Sequence, residues 1–268
     1  MKAKSQTNAD SVAVPFTFNN TVHLILNGKG GVGKSFTAAA LAQYLQARGY
    51  EPINGDTDPV NSTFGQIEDL NVQLIPITEA GAVLQRKFDP LFEKIIAVNC
   101  AAVIDNGAST FLPLLKYIKS NEILSALQAA NKQVYIHCPV VGGQAKDDTA
   151  QGLLSLIDLV KQSGSNTKIV VWENEFWGIP EFKGVPLANM PWIQENASVI
   201  QGIAKIVDRN SDAFTTDIRL MSESHMTLRQ VMDSDQFGVF AKSRVKRVFD
   251  DLYQELDRVY GIEVENKS

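Results

Sequence analysis

The sequence predicts an α/β fold in which a mostly parallel, twisted sheet carries helices on both faces, with a helical C-terminal extension. Two observations support this prediction. Short β-rich runs alternate with helical patterns of about ten residues or more, as in βαβ units. A glycine-rich loop joins the first β-rich run to the first helical pattern. The length of 268 residues and the apolar content of 44% suit one large domain of this class.

The predicted strands are short and apolar, and they end in glycine or in polar residues. The first, "TVHLILNG", ends in glycine, and a later one, "CAAVIDNG", ends in a carboxylate followed by a turn. In chain order the predicted strands are 21–28, 51–58, 72–77, 100–107, 133–143 and 167–175.

The predicted helices follow from apolar residues at helical spacing. The first is rich in alanine and leucine and stops at Gly49, and the last carries an apolar stripe from Val245 to Val259 on one face. In chain order the helical patterns are 34–48, 88–99, 108–131, 146–162, 191–208 and 226–260.

The chain divides into an N-terminal tail (1–20), a main domain (21–225) and a helical C-terminal extension packed on that domain (226–268). The tail is mostly polar and lacks the apolar core of a signal peptide, and no run approaches the length of a membrane span. We therefore expect a cytoplasmic protein. The formal charge of −5 argues against broad attraction to nucleic acid or anionic lipid.

The stretch "LNGKGGVGKSF" contains the phosphate-binding pattern G-x-x-x-x-G-K-[ST]. Its glycines allow successive backbone N–H groups to surround an anion, and the following helix adds the partial positive charge of its N-terminus. Lys34 is predicted to reach the β- and γ-phosphates, and Ser35 to ligate Mg²⁺. The residues predicted to contact the nucleotide here are Gly28, Lys29, Gly30, Gly31, Val32, Gly33, Lys34, Ser35 and Phe36.

Three carboxylates follow predicted strands and complete a candidate nucleotide site. Asp56 and Asp58 end the second strand, and Asp105 ends the strand "AAVID". Ligands of parallel sheets bind beyond the carboxyl ends of the strands, where Mg²⁺ and an attacking water need polar groups. The alternative for Asp56 and Asp58 is turn formation before Pro59.

These residues resemble the ParA/MinD superfamily of P-loop ATPases. "KGGVGKS" resembles its deviant Walker A loop, in which a second lysine, Lys29 here, stands five positions before Lys34. "DTDPVNSTF" and "VIDNGAS" resemble its first and second switch segments. The resemblance implies a P-loop NTPase fold and ATP with Mg²⁺ as cofactors. It also implies that Asp56 and Asp105 support the metal and that Asp58 orients the attacking water.

The resemblance implies a role for Lys29 that differs from that of Lys34. In this superfamily the extra lysine reaches the nucleotide of a second subunit, so Lys29, Lys34 and Asp58 are the expected catalytic residues and ATP binding assembles a homodimer. The alternative is that Lys29 is an exposed loop lysine.

A closer likeness is to the ATPases of conjugative plasmids of the TraL and StbB kind, carried by "LILNGKGGVGKS", "DTDPVN", "IDNGASTFLPLLKYI", "VVGGQA" and "VVWENEFWG". It implies slow ATP hydrolysis in plasmid conjugation, stability or positioning, with a plasmid-encoded protein as a possible partner. The alternatives are a MinD-like positioning or metal-cluster delivery ATPase, and a nucleotide-binding scaffold that does not hydrolyse.

Further signals are weaker. Asn174 is expected either to read adenine, as the resemblance implies, or to cap its loop. Phe176 and Trp177 could stack on a base or meet a partner, and buried packing is the favoured interpretation. Phe36 stands where relatives have threonine, and we expect it to contribute its backbone N–H.

The sequence also contains two cysteines and a cluster of basic residues. Cys100 and Cys138 are predicted to be buried thiols, and the three histidines lack the spacing of a zinc site. The basic cluster, defined as Lys242, Arg244, Lys246 and Arg247, is either a solvated face or a contact for weak, non-specific DNA or for a partner.

Overall fold

The computed structural model describes residues 16–79 and 82–263. It confirms the predicted fold class, because a seven-stranded parallel sheet is covered by helices on both faces. The strands of this sheet are β1 Thr21–Ile25, β2 Ile53–Asp56, β3 Gln73–Leu74, β6 Ala102–Asp105, β7 Gln133–Val141, β8 Lys168–Asn174 and β11 Ile200–Ile206. Two short antiparallel ribbons pair β4 Thr78–Glu79 with β5 Ala82–Val83, and β9 Glu181–Phe182 with β10 Val185–Pro186.

The helices begin and end close to the predicted positions over most of the chain. They are α1 Lys34–Ala47, α2 Asp89–Ala97, α3 Phe111–Ser120, α4 Ile123–Ala129, α5 Lys146–Ser163, α6 Pro191–Gln194, α7 Asp212–Glu223, α8 Leu228–Asp233 and α9 Val239–Tyr260. The single pattern predicted over 108–131 is two helices, because the backbone between them turns through Glu122 at φ 48°.

The strand order β3-β2-β6-β1-β7-β8-β11 puts β1 in the middle of the sheet. The chain leaves β1 and continues to one side of the sheet, and later returns to the other side at β7, so the strand order reverses at β1. In open parallel sheets, ligands bind beyond the carboxyl ends of the strands at such a reversal. The predicted phosphate loop follows β1 directly.

Each face of the sheet buries its own apolar layer. Along β1, Val22 and Leu24 face the layer covered by α2 to α5, whereas Ile25 faces the layer formed by α1 and the C-terminal helices. This alternation is the period of two expected for a strand that is buried on both faces.

The prediction of a helix over 191–208 is wrong. Only α6 is helical there, and the edge strand β11 follows, paired in parallel with β8 and covered by α9. The local sequence "VIQGIAKI" contains several β-branched residues, which favour a strand. Pairing with β8 satisfies the backbone N–H and C=O groups on the side of β11 that faces β8. Gly202 permits the close approach of α9, since a Cβ there would lie 3.2 Å from Val259.

The terminal helix α9 belongs to the second apolar layer. The stripe from Val245 to Val259 is buried apart from Val248, which is half-buried. Arg48, directly after α1, and Asp257 of α9 form an ion pair, and the hydroxyl of Tyr44 donates to the same Asp257 carboxylate. Helices α8 and α9 thus pack in the second apolar layer of the sheet domain, and the separate extension over 226–268 stays a prediction. Residues 264–268 lie outside the described residues.

Most of the predicted tail, residues 1–15, lies outside the described residues. Phe18 is buried and packs edge-to-face against Tyr44 and Tyr260. Among the helices of residues 16–79 and 82–263, none is long and apolar enough to cross a membrane.

Two histidines that are far apart in sequence meet between β1 and β7. His23 Nδ1 lies 3.0 Å from His137 Nε2, and both rings are fully buried. The indole of Trp172 donates to His137 Nδ1 at 2.9 Å, so a neutral His137 carries its proton on Nε2 and donates to His23. His23 in turn donates to the hydroxyl of Thr21 at 2.9 Å. Burial lowers the pKa of both histidines, that of His23 to about 3.

Candidate functional site

The phosphate loop connects β1, which ends at Ile25, to α1, which begins at Lys34. Gly31 and Gly33 have φ of +73° and +93°, a region that favours glycine. A Cβ at Gly33 would also lie 2.9 Å from the amide nitrogen of Asn174. The sequence thus permits a tight loop that ends on a helix N-terminus, as an anion cradle requires.

Lys34 is buried beneath this loop. Its ammonium donates to the carbonyl oxygen of Lys29 at 2.7 Å, and the residue as a whole is 8% exposed. Burial lowers the pKa of Lys34, and the nearby carboxylates of Asp105 and Asp58 act in the opposite direction. A cation held in this position favours a multiply charged anion in the loop.

Ser35 and the two strand-end aspartates lie next to one another at the edge of the loop. The hydroxyl of Ser35 donates to Asp105 Oδ2 at 2.6 Å, and Asp56 accepts from the backbone N–H groups of Asp58 and Gly65 at 2.8 and 2.9 Å. Burial raises the pKa of Asp105 to about 7 and also raises the pKa of Asp56. A nearby cation would relieve this cost of burying carboxylates.

These oxygens fit Mg²⁺ as part of a larger coordination shell. Ser35, Asp56 and Asp105 offer hydroxyl and carboxylate oxygens, which are the ligands that Mg²⁺ prefers. Across residues 16–79 and 82–263, no three acidic, histidine or cysteine side chains converge on one metal position. Mg²⁺ commonly keeps several waters and is bound through one or two carboxylates plus substrate phosphates, so the residues present fit such a site.

Asp58 closes its own turn, as the alternative interpretation predicts. Its Oδ1 accepts from the backbone N–H groups of Val60 and Asn61 at 2.9 and 3.1 Å. It also lies against the segment after β6, since a Cβ on Gly107 would be 2.6 Å from the Asp58 carboxyl carbon. The Oδ2 atom accepts neither of these turn bonds, and the water-orienting role stays a prediction.

The sequence did not predict the hydrogen-bond network that joins the segment after β2 to the segment after β6. The hydroxyls of Thr57 and Thr110 both donate to the side-chain oxygen of Asn106, at 3.0 and 2.8 Å, and Asn106 is buried. The available signal was a polar residue directly after each strand end. The network links the residue after β2 to the residues after β6 through hydrogen bonds.

Lys29 occupies a different environment from Lys34. Its ammonium forms an ion pair of 2.7 Å with Asp148 in the first turn of α5, and both side chains are well exposed, at 42% and 60%. Asp148 was not predicted from the sequence, although two adjacent aspartates at a helix start are a visible signal. The ammonium of Lys29 is therefore paired with α5 at the protein surface, whereas the Lys29 backbone belongs to the phosphate loop and accepts from Lys34.

Asn174 serves the loop in both directions. Its amide nitrogen donates to the carbonyl oxygen of Val32 at 3.2 Å, and its oxygen accepts from the backbone N–H of Phe176 at 3.1 Å. The loop-capping alternative is thus observed. Asn174 also lines a cavity beside the phosphate loop, so a contact with a base stays a prediction.

This cavity has a volume of about 280 Å³ and a largely aromatic and aliphatic wall. Phe36 and Phe214 line it together with Phe176 and Trp177. The favoured interpretation of buried packing for Phe176 and Trp177 is wrong, because they are 44% and 53% exposed. Phe36 was expected to contribute its backbone N–H to the site, but it also lines this cavity. The predicted position of these two residues after the end of β8 is correct, and their partly exposed rings line the cavity.

The thiols and the basic cluster lie outside this site or only beside it. Cys138 is fully buried, and burial raises its pKa to about 12, whereas Cys100 is half-buried and only partly fits the prediction. In the basic cluster, Arg244 pairs with Asp217 and Lys246 with Asp250. Half of the cluster is thus already neutralised within the fold, and DNA contact stays a prediction.

Comparison with known proteins agrees with this geometry. Residues 23–262 match the family described as the CobQ/CobB/MinD/ParA nucleotide binding domain. Two proteins named TraL from Escherichia coli are 36% and 34% identical over 236 residues, covering 88% of this chain and 97% of each relative.

Among solved structures, the MinD cell division protein of Aquifex aeolicus is 16% identical, covers 92% of this chain and 100% of its own, and superposes with a TM-score of 0.46. A plasmid partition protein of Borrelia burgdorferi is 15% identical, covers 88% of this chain and 99% of its own, and has a TM-score of 0.39. The matched family spans most of the described residues, from β1 to the end of α9, and the chain belongs to the CobQ/CobB/MinD/ParA nucleotide-binding family.

Proposed function

We propose that this protein is an ATP-binding, slowly hydrolysing dimer switch that acts in plasmid transfer or stability. One observation carries the proposal. Lys34 and Ser35 lie with Asp56 and Asp105 at a loop shaped for phosphates, while Lys29 reaches away from that loop to the surface. The two lysines are separated as they would be if they served different subunits.

Each residue has a distinct task in this proposal. The ammonium of Lys34 leaves the Lys29 carbonyl and binds the phosphates of the nucleotide in its own subunit. Ser35 and Asp105, which now share a hydrogen bond, would hold Mg²⁺ together with Asp56, which backbone N–H groups keep in place. When bound, Mg²⁺ would supply positive charge that stabilises the phosphates. Lys29 leaves Asp148 and neutralises the nucleotide of the second subunit.

The role in plasmid biology rests on the relatives named TraL, which match the chain over nearly their whole length. A partner protein encoded by the same plasmid is part of this proposal. Weak, salt-sensitive DNA contact is compatible with it through Lys242 and Arg247, which form no ion pair within residues 16–79 and 82–263.

A second candidate is a nucleotide-binding scaffold that does not hydrolyse. It is favoured by one observation, the engagement of Asp58 Oδ1 in two turn hydrogen bonds. A carboxylate already used in this way has only one oxygen left for a water. The scaffold and the ATPase share the binding site and differ only in turnover.

The test measures mass and turnover on the same sample. Light scattering with ATP and Mg²⁺, with ADP, and without nucleotide should show a dimer only with ATP, and phosphate release should accompany its decay. A monomer under all conditions contradicts the switch. A stable ATP dimer without phosphate release selects the scaffold.

A further inference from the structure

The last residue of β8 and the segment that follows it brace the phosphate loop. Asn174 donates to the carbonyl oxygen of Val32, and the indole Nε1 of Trp177 donates to the carbonyl oxygen of Gly31 at 3.1 Å. Two consecutive loop carbonyls are therefore held by donors from one short segment. When the carbonyls are held on one side, the adjacent N–H groups are available on the other, where an anion binds.

The same segment is fixed from its other side by the turn after β7. The backbone N–H of Gly142 donates to the carbonyl oxygen of Gly178 at 3.0 Å. A Cβ on Gly142 would lie 2.2 Å from that oxygen, and one on Gly143 would lie 2.8 Å from the Trp177 carbonyl. Trp177 is thus held between two glycine turns and does not extend from a free loop.

Trp177 also forms part of the cavity wall beside the loop. Its ring stands edge-to-face against Phe176, with centroids 4.8 Å apart, and 53% of the residue remains exposed. Phe36 and Phe214 line the same cavity. A ligand with its phosphates on the loop would place its base in this space, next to a large aromatic surface that is still uncovered.

We propose that Trp177 is a positioning residue of the phosphate loop and, with its ring, a contact for the nucleobase. The proposal rests on nucleotide binding by this loop and goes beyond it. The indole N–H holds the carbonyl oxygen of Gly31 and so keeps the loop in its phosphate-binding shape. This contribution affects every ligand that has phosphates. The ring stacks on the base, so this contact strengthens the binding only of ligands that contain a base. It favours purines, because they offer a larger surface for stacking.

The two actions separate with two substitutions and two probes. Trp177→Phe keeps a ring but removes the donor, and Trp177→Ala removes both. The probes are Mg²⁺-ATP and Mg²⁺-tripolyphosphate, which has no base. Trp192→Phe is the matched control, because Trp192 packs against Phe182 in the apolar layer opposite to the one that contains Phe36.

Calorimetry should show that Trp177→Phe weakens both probes by about fivefold, the typical effect of one net hydrogen bond. Trp177→Ala should weaken ATP by about a further tenfold but leave tripolyphosphate at the level of Trp177→Phe. Nucleotide should change tryptophan fluorescence in the wild type and in Trp192→Phe, and this change should be lost in Trp177→Phe. Thermal unfolding without ligand checks that each variant is folded.

Equal ATP affinity of the wild type and Trp177→Ala overturns the proposal. So does an equal loss of both probes in Trp177→Ala with no loss in Trp177→Phe, because that pattern indicates general damage to the loop. A wild-type protein that fails to bind ATP refutes instead the proposed function, so the two failures are distinguishable.

Discussion

The ion pair between Lys29 and Asp148 makes a sharp prediction about dimer formation. Both side chains are well exposed, at 42% and 60%, and an exposed pair of this kind is worth about 1 kcal/mol or less. Asp148→Asn should therefore change the free energy of unfolding by no more than about 1 kcal/mol. Its effect should appear in assembly, because in the proposed dimer Lys29 leaves Asp148 to reach the nucleotide of the second subunit.

The size of that effect follows from the symmetry of a dimer. Two Lys29–Asp148 pairs must break, at a cost of up to about 1 kcal/mol each, so removing both carboxylates should favour the dimer by up to about 2 kcal/mol. This corresponds to a dimer dissociation constant lowered by up to about thirtyfold at low salt. Added salt should shrink the difference, since it screens the exposed pair.

The assay is light scattering against protein concentration with saturating ATP and Mg²⁺. Asp147→Asn is the matched control, since it removes the same charge from the same exposed first turn of α5. In a Lys29→Ala background, Asp148→Asn should have no effect. A weaker dimer in Asp148→Asn would refute the reasoning, because it would mean that the carboxylate presents Lys29 to the partner or contacts the partner directly.

Three more predictions follow from the site and the core. Lys34→Ala should abolish ATP binding in calorimetry, since Lys34 is the buried cation of the loop. Asp58→Ala should bind ATP and dimerise, with phosphate release slowed by about a hundredfold; normal turnover would make Asp58 a turn residue only. Burial lowers the pKa of His23 to about 3, so the unfolded chain takes up a proton at this residue before the folded chain does. Stability is therefore lost as the pH falls below about 6.5, by about 2 kcal/mol for His23 at pH 5. In His23→Gln, urea unfolding should show a flatter pH dependence.

The sheet and its ligand edge could be predicted from the sequence because both depend on local periodicity. Strands that are buried on both faces read as short apolar runs, and parallel strands bring their carboxyl ends to one edge. Asp56 and Asp105 were expected at that edge, and the register pairs these two residues on neighbouring strands. The loop pattern around Lys34 specifies its own strand-turn-helix context.

The edge strand β11 was not predictable in the same way. Most of its residues are only partly buried, and its apolar positions are compatible with a helix as well as with a strand. Pairing with β8 and cover from α9 decide between the two, and α9 begins 33 residues after β11 ends, at Val239 against Ile206. Tertiary contacts of this kind override local preference.

The contacts that tie Trp177 into the site were also invisible in the sequence, although the glycines that permit them were not. Gly33 and Gly142 are separated by more than a hundred residues, yet each makes room for the segment after β8. A side chain on Gly142 would push that segment away from the turn, and one on Gly33 would displace the amide of Asn174. The glycine turn after β7 and the segment after β8 therefore help to fix the conformation of the phosphate loop, as its own glycines do. A substitution in any of these three segments should lower the affinity for nucleotide.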